Sequence, residues 1–243
     1  MDRKKFIQAS LLGSLGIALM PQLSFAVNTE ISYEELIGKG QPELFGTGYQ
    51  LRKETNEAFI KMAAEALKSD IKIQVVSSYR SFEHQNRIWE RKYKRYQNQG
   101  LSPEAGIAKI IEYSTIPGTS RHHWGTDLDI IDAHVRQPSS VLQAQHFEEN
   151  GCYRKLKLWM ETHAKSFGFF LVYTKEPSRK GFKYEPWHYS YRALSQGYLQ
   201  TYKTFDLKTI ISKEQLMGHD YFSEAFINAY LKEHMLDINP DLL

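Results

Sequence analysis

The chain has 243 residues, a formal net charge of +3, 42% hydrophobic residues and one cysteine, Cys152. That length suits one substantial domain with a real core. A lone cysteine excludes an intramolecular disulfide and a thiolate metal cluster, and so small a net charge makes no general case for nucleic acid.

Arg3, Lys4 and Lys5 precede a mostly apolar stretch from Phe6 to Met20, and Ser24-Phe25-Ala26 supplies small residues at a cleavage position. Residues 1–26 therefore read as a signal peptide, which places the mature protein in the periplasm or cell envelope. The apolar stretch is short for a membrane span, so no stable span is expected after cleavage. Residues 27–51, with Gly38, Gly40, Gly46 and Gly48, read as a loop-rich N-terminal segment.

Ala58, Phe59, Met62, Ala63, Ala66 and Leu67 recur at helical spacing and predict an amphipathic helix over 53–68. Residues 71–76 alternate as a strand does. Ser77 to Ser81 leads into a helix from Phe82, and the run Arg91-Lys92-Tyr93-Lys94-Arg95 reads as its solvated face. Ser102 as N-cap and Pro103 at N1 start a helix through about Tyr113. Pro117-Gly118 marks a turn.

Gly125 to Ile131 reads as a strand with Asp127 and Asp129 on one face and Leu128 and Ile130 on the other. Two carboxylates on a core strand are costly unless something compensates them, and a cation is the simplest compensation. Helix is expected over 153–166, a short strand over 169–173 and a polar loop over 174–183. Residues 184–191 are strand-like but interrupted by Pro186. From Ser212 the chain reads as helical, with Phe222, Phe226, Ala229, Tyr230 and Met235 as a buried stripe. The order implies an α+β fold: a small, largely antiparallel sheet with flanking helices and a helical C-terminal extension.

The chemistry concentrates in two runs, Ser120-Arg-His-His-Trp-Gly-Thr-Asp-Leu-Asp129 and Glu185-Pro-Trp-His188. One of His122 and His123, together with Asp129 and His188, gives a two-imidazole, one-carboxylate set that suits zinc and leaves a position for water. Spacing alone does not choose between the two histidines. Glu185 and His188 would face opposite ways on a regular strand, but Pro186 makes a regular strand doubtful, so both can converge on one cavity. Glu185 is then placed to act as a general base in metal-assisted hydrolysis.

The pattern Ser120-x-His122-x-x-Gly125-x-Asp127-x-Asp129 with Glu185-x-Trp187-His188 resembles the signature of the VanY-type D-alanyl-D-alanine carboxypeptidases. These belong to a zinc peptidase group that includes the VanX-type D,D-dipeptidases and cell-wall endopeptidases. Ser77-Ser78-Tyr79-Arg80-Ser81 with Gln85 is similar to that family's upstream segment. The resemblance covers roughly residues 52–192. It implies that His122, Asp129 and His188 hold Zn2+ on the sheet, that Glu185 is the catalytic base, and that Arg80 stabilises the oxyanion. It makes Ser120 a substrate contact and Gln85 a further lining residue of the same pocket.

Many family members carry alanine where this chain has Asp127, which is left as a partner behind the metal ligands, a substrate contact or a salt-bridged side chain. The implied organisation is a zinc peptidase domain over 52–195 and a helical extension over 196–243 packed on it. The implied activity is removal of the C-terminal D-alanine from peptidoglycan stem peptides. Alternatives with the same site are an L,D-carboxypeptidase, a D,D-dipeptidase and a peptidoglycan endopeptidase. A remoter one is a non-catalytic wall-binding or zinc-binding module.

Overall fold

The computed structural model describes residues 31–243, which form one compact unit; the expected signal peptide lies outside the described residues. After a short helix α1 (Tyr33–Leu36), helix α2 (Lys53–Leu67) buries Phe59, Met62 and Ala66 of the predicted face together with Thr55, while Leu67, expected on that face, is exposed. The chain turns through Asp70 in the left-handed region, and the first strand β1 runs from Ile73 to Ser77, two residues later than expected. Ile71 closes the preceding helix instead, its N–H donating to Ala66 O at 3.2 Å.

Helix α3 (Phe82–Asn98) is capped by Ser81 Oγ, which accepts from His84 N, and buries Phe82, Gln85, Trp89 and Tyr93. Helix α4 (Pro103–Ile110) starts at the expected Ser102 cap. A tight turn, Arg121–Trp124, ends at Gly125 with φ +69°, a left-handed geometry that glycine adopts without strain. Strand β2 (Asp127–Asp132) follows and is buried at every position. Helix α5 (Arg154–His163) and strands β3 (Phe169–Leu171) and β4 (His188–Tyr191) complete the central layer.

The four strands pair antiparallel in the order β1-β2-β4-β3. One core lies between α2, α5 and the sheet face carrying Leu128 and Ile130. The other gathers α3, α4, Trp124 and the C-terminal helices. The β1–β2 register shifts between Val75 and Ser77, setting Ser77 opposite Asp129. Such a bulge re-aims side chains where regular pleating would not.

Helix α6 (Arg192–Thr204) begins before the expected start of the helical extension at 196 and runs across that boundary. It buries Ser195, Tyr198, Leu199 and Tyr202, and Tyr198 stacks on Trp124 with ring centroids 5.7 Å apart. Beyond α7 (Leu207–Lys213), helix α8 (Glu224–Tyr230) buries Ile227 and Tyr230; Ala229, expected in the buried stripe, is exposed.

Tyr230 reaches from this extension to the loop before the Ser120 run. Its hydroxyl accepts the Ile116 N–H (3.1 Å) and meets Thr119 Oγ1 (2.8 Å), which itself donates to Ile116 O. Tyr230→Phe leaves the Ile116 N–H and Thr119 hydroxyl short of a buried partner. It is expected to cost about 1–3 kcal/mol of stability, measured by urea denaturation of the two proteins.

Candidate metal centre and active site

Cross-strand pairing sets two of the three candidate ligands side by side: Asp129 on β2 stands opposite His188 on β4. Residues directly opposite on neighbouring antiparallel strands project from the same face. The Arg121–Trp124 turn supplies His122, whose ring stacks on His188 at 4.7 Å between centroids. Ligand atoms of His122, Asp129 and His188 all lie within 4.8 Å of one another.

Each imidazole is oriented by its far nitrogen. His122 Nδ1 donates to Ser78 O (2.8 Å), so the Nε2 lone pair faces Asp129 Oδ2 at 3.4 Å. His188 Nε2 donates to Asp127 Oδ2 (3.0 Å), so Nδ1 faces Glu185 Oε2 at 3.0 Å and Asp129 Oδ1 at 3.8 Å. Asp129 Oδ1 is buried without a hydrogen-bond partner among the described residues. A tetrahedral ion with bonds of about 2.0–2.1 Å sets its donor atoms about 3.4 Å apart. The donor set, the spacing and the orphaned carboxylate oxygen all fit a divalent metal.

Charge points the same way. Burial penalises the His188 cation, but hydrogen bonds to Asp127 and Glu185 and the charge of Asp129 outweigh it and push its pKa up to about 10. Burial raises Asp129 to about 6. Burial, reinforced by the Arg80 charge, lowers His122 well below the usual histidine range. The centre therefore favours positive charge between His188 and the carboxylates, while His122 stays a neutral donor.

Asp127 stands behind the ligands. It accepts from Arg121 Nε (2.8 Å), His188 Nε2, Thr126 Oγ1 (2.8 Å) and Ser190 Oγ (2.6 Å). Burial opposes its ionisation, yet the Arg121 guanidinium and the imidazoles hold it well below the usual carboxylate range. Of its three open assignments, the geometry selects partner to a ligand and buried ion pair at once. His123 is excluded from ligation because both its nitrogens are engaged. Nδ1 donates to Arg80 O (2.6 Å) and Nε2 accepts from Gly118 N (3.2 Å). Burial accordingly lowers its pKa to about 4.

The Glu185–His188 turn explains the convergence that Pro186 allowed. His188 N donates to Glu185 O (3.1 Å) and Glu185 N to Tyr173 O (3.2 Å), which brings both side chains to the same point. Arg80, Ser120, His122, Asp129, Glu185 and His188 line one cavity of about 670 Å³. Gln85 does not line it, contrary to expectation. It is fully buried, its Oε1 accepting from Arg80 Nη1 (2.7 Å) and its Nε2 donating to Thr115 O (2.8 Å). Ser77 Oγ accepts from Arg80 Nη2 (2.8 Å), so Gln85 and Ser77 together aim the guanidinium.

Sequence reasoning missed Arg121 and Ser190. Arg121 sits inside the Ser120–Asp129 run as a lone cation beside the unexplained Asp127, which was the available signal. Asp132 extends β2 one residue past the expected strand and accepts from Lys72 N and His134 N.

Residues 48–194 match the family model described as VanY: D-alanyl-D-alanine carboxypeptidase. An uncharacterized protein of Haemophilus influenzae is 32% identical over 107 residues, covering 43% of this chain and 82% of that protein. The bifunctional D-Ala-D-Ala dipeptidase and carboxypeptidase VanXYC of Enterococcus gallinarum is 27% identical over 163 residues, covering 67% and 73%. In fold, the chain is similar to a VanY mutant from a VanB-type resistance cassette in complex with Zn(II), with a TM-score of 0.51, 20% identity and coverage of 75% and 89%.

Asp127→Asn keeps the side-chain shape but removes the charge that faces Arg121 and His188. Divalent-metal affinity, measured by competition with a chromophoric chelator, is expected to fall about 10- to 100-fold. The buried Arg121 left without its carboxylate is expected to cost about 3–5 kcal/mol of stability.

Proposed function

The chain belongs to the VanY D-alanyl-D-alanine carboxypeptidase family, and we propose that it is an exported zinc enzyme that removes the C-terminal D-alanine from peptidoglycan stem peptides. The observation that carries this reading is the convergence of Glu185 and Arg80 on the cavity that holds His122, Asp129 and His188. A binding or zinc-storing module has no use for a carboxylate and a guanidinium at that point.

His122, Asp129 and His188 would hold the ion, which when bound supplies Lewis acidity to water and to the substrate carbonyl. The chain's own groups do the remainder. Glu185, whose carboxylate reaches the metal-facing nitrogen of His188, takes a proton from the attacking water and returns it to the leaving amine. Arg80, held by Ser77 and Gln85, presents a fixed cation where negative charge develops on the carbonyl oxygen. Because both supports are in place before substrate arrives, little reorganisation accompanies the reaction. Ser120, at the cavity wall, contacts the peptide, and its terminal carboxylate is the group a serine hydroxyl suits.

The basic n-region and cleavage pattern of residues 1–26 support export to the periplasm or envelope, where this substrate is found. The active domain over 52–195 draws on both flanks: Trp124 Nε1 donates to Leu36 O (3.2 Å), and Tyr198 stacks on the same indole.

Incubation of the purified protein with pentapeptide and tetrapeptide muropeptides, followed by mass spectrometry, is expected to show loss of one alanine from the pentapeptide. Complete metal removal is expected to abolish it. Release of a dipeptide, cleavage of the tetrapeptide or cutting of a cross-link would reassign the substrate while keeping the site. No cleavage of any of them by the zinc-loaded protein overturns the enzyme reading. Glu185→Gln is expected to retain the metal but lose about 10²–10⁴ in kcat. Near-full activity of that variant would remove Glu185 as the base.

A further inference from the structure

The same cavity carries a cation that no step above uses. Lys92, on helix α3, lines the cavity beside Arg80, Ser114 and Thr115. Its neighbours in sequence behave otherwise: Arg91, Lys94 and Arg95 flank an open groove on the solvent side of the helix. Lys92 instead turns inward, half-buried, and donates from Nζ to Ser114 Oγ at 3.0 Å. Among the described residues no Asp or Glu carboxylate stands within 4.0 Å of that Nζ. Ser114 is itself buried, and Thr115 Oγ1, next in the same wall, has no hydrogen-bond partner among the described residues.

A half-buried ammonium without a counter-ion is unusual, since buried charges are ordinarily paired. Burial and the charges of Arg95, Arg80 and Arg91 disfavour its charged form, the more distant Glu185 charge offsets them only in part, and an arriving anion would relieve the remainder. An ammonium bonded to a serine hydroxyl, open to a peptide-sized cavity, is a carboxylate receptor in chemistry and position. We propose that Lys92, oriented by Ser114, is a specificity-determining residue that binds a carboxylate of the peptide substrate. The inference rests on the proposed peptidase reading and adds the feature of the peptide that the enzyme selects. The carboxylate is either the free C-terminus of the peptide or an acidic side chain further along the stem.

Both sources can be separated in one binding experiment that does not depend on turnover. The zinc-loaded Glu185→Gln protein is titrated calorimetrically with three stem-type peptides ending in D-alanyl-D-alanine. The first has a free terminus and an acidic side chain. The second has an amidated terminus, and the third has its acidic residue replaced by a neutral one. The free-acid peptide is expected to bind about 10- to 100-fold more tightly than the peptide lacking the recognised carboxylate. Adding Lys92→Met, which keeps the aliphatic stem, is expected to erase that ratio, and Lys92→Arg to restore most of it. Loss of discrimination at the terminus assigns the terminal carboxylate, and loss at the side chain assigns the acidic residue. Unchanged ratios in Lys92→Met, or no binding of any peptide, overturn the inference. Turnover by the unmodified enzyme is measured separately, so a cleaving enzyme indifferent to Lys92 sinks this proposal alone, and a non-cleaving one sinks the peptidase reading.

Discussion

Asp127 is the constraint on which both the fold and the centre turn. It lies on a strand buried on both faces, where an unpaired carboxylate would be prohibitive. Four donors from three segments meet it: Arg121 and Thr126 before the strand, and His188 and Ser190 across it. Arg121 is held in turn against the Trp124 ring at 4.7 Å, with its remaining Nη1 unpartnered. The pairing of β2 with β4 is therefore specified by chemistry as well as by backbone register. A one-residue slip would turn Asp127 away from Ser190 and Asp129 away from His188.

The same network decides which nitrogen of His188 faces the cavity. A carboxylate behind an imidazole fixes its orientation and raises its basicity, so the candidate donor set is preorganised by the fold. His122 is fixed by a different device, a backbone zipper between the 77–81 loop and the 121–124 turn. Arg80 N donates to His122 O (3.1 Å), His122 Nδ1 to Ser78 O, and His123 Nδ1 to Arg80 O. Arg80 and His122 thus cannot shift independently. Gly38 closes the zipper from outside, its O accepting from Phe82 N, and a Cβ there would lie 2.4 Å from His123 Nδ1. That glycine at φ +82° is what lets the N-terminal segment pack on the turn.

Much of this was legible in the chain. Helices α2 and α3 followed from apolar spacing, and α4 from a Ser-Pro cap, because local chemistry decides those features. The convergence of Glu185 on His188 was readable from Pro186, since a broken strand frees i and i+3 from opposite faces. Gln85 misled because a polar residue near an arginine looks like pocket lining. Its place one helical turn into α3, at i+4 from Ser81, puts it beneath the arginine instead. The start of helix α6 at Arg192 was harder to read, because its buried stripe, Ser195, Tyr198, Leu199 and Tyr202, is half polar by composition and becomes apolar only against Trp124. The roles of Arg121, Ser190 and Tyr230 are long-range pairings that no local pattern encodes.

The cavity joins two opposite electrostatic demands. Asp127, Asp129 and Glu185 gather around His188 and favour a cation there, while Arg80 and Lys92 line the same cavity. Were these charges merely adjacent, each acid would pair with a base and the centre would be neutralised internally. They are kept from doing so by separate anchoring: Arg80 is bound by the neutral acceptors Ser77 and Gln85, and Lys92 by Ser114. The acids near the metal position are engaged by Arg121 and the imidazoles instead. A neutral first partner leaves a cation's charge available to a visitor. The result is a cavity in which acids and bases stand close together without cancelling, each held by its own anchor.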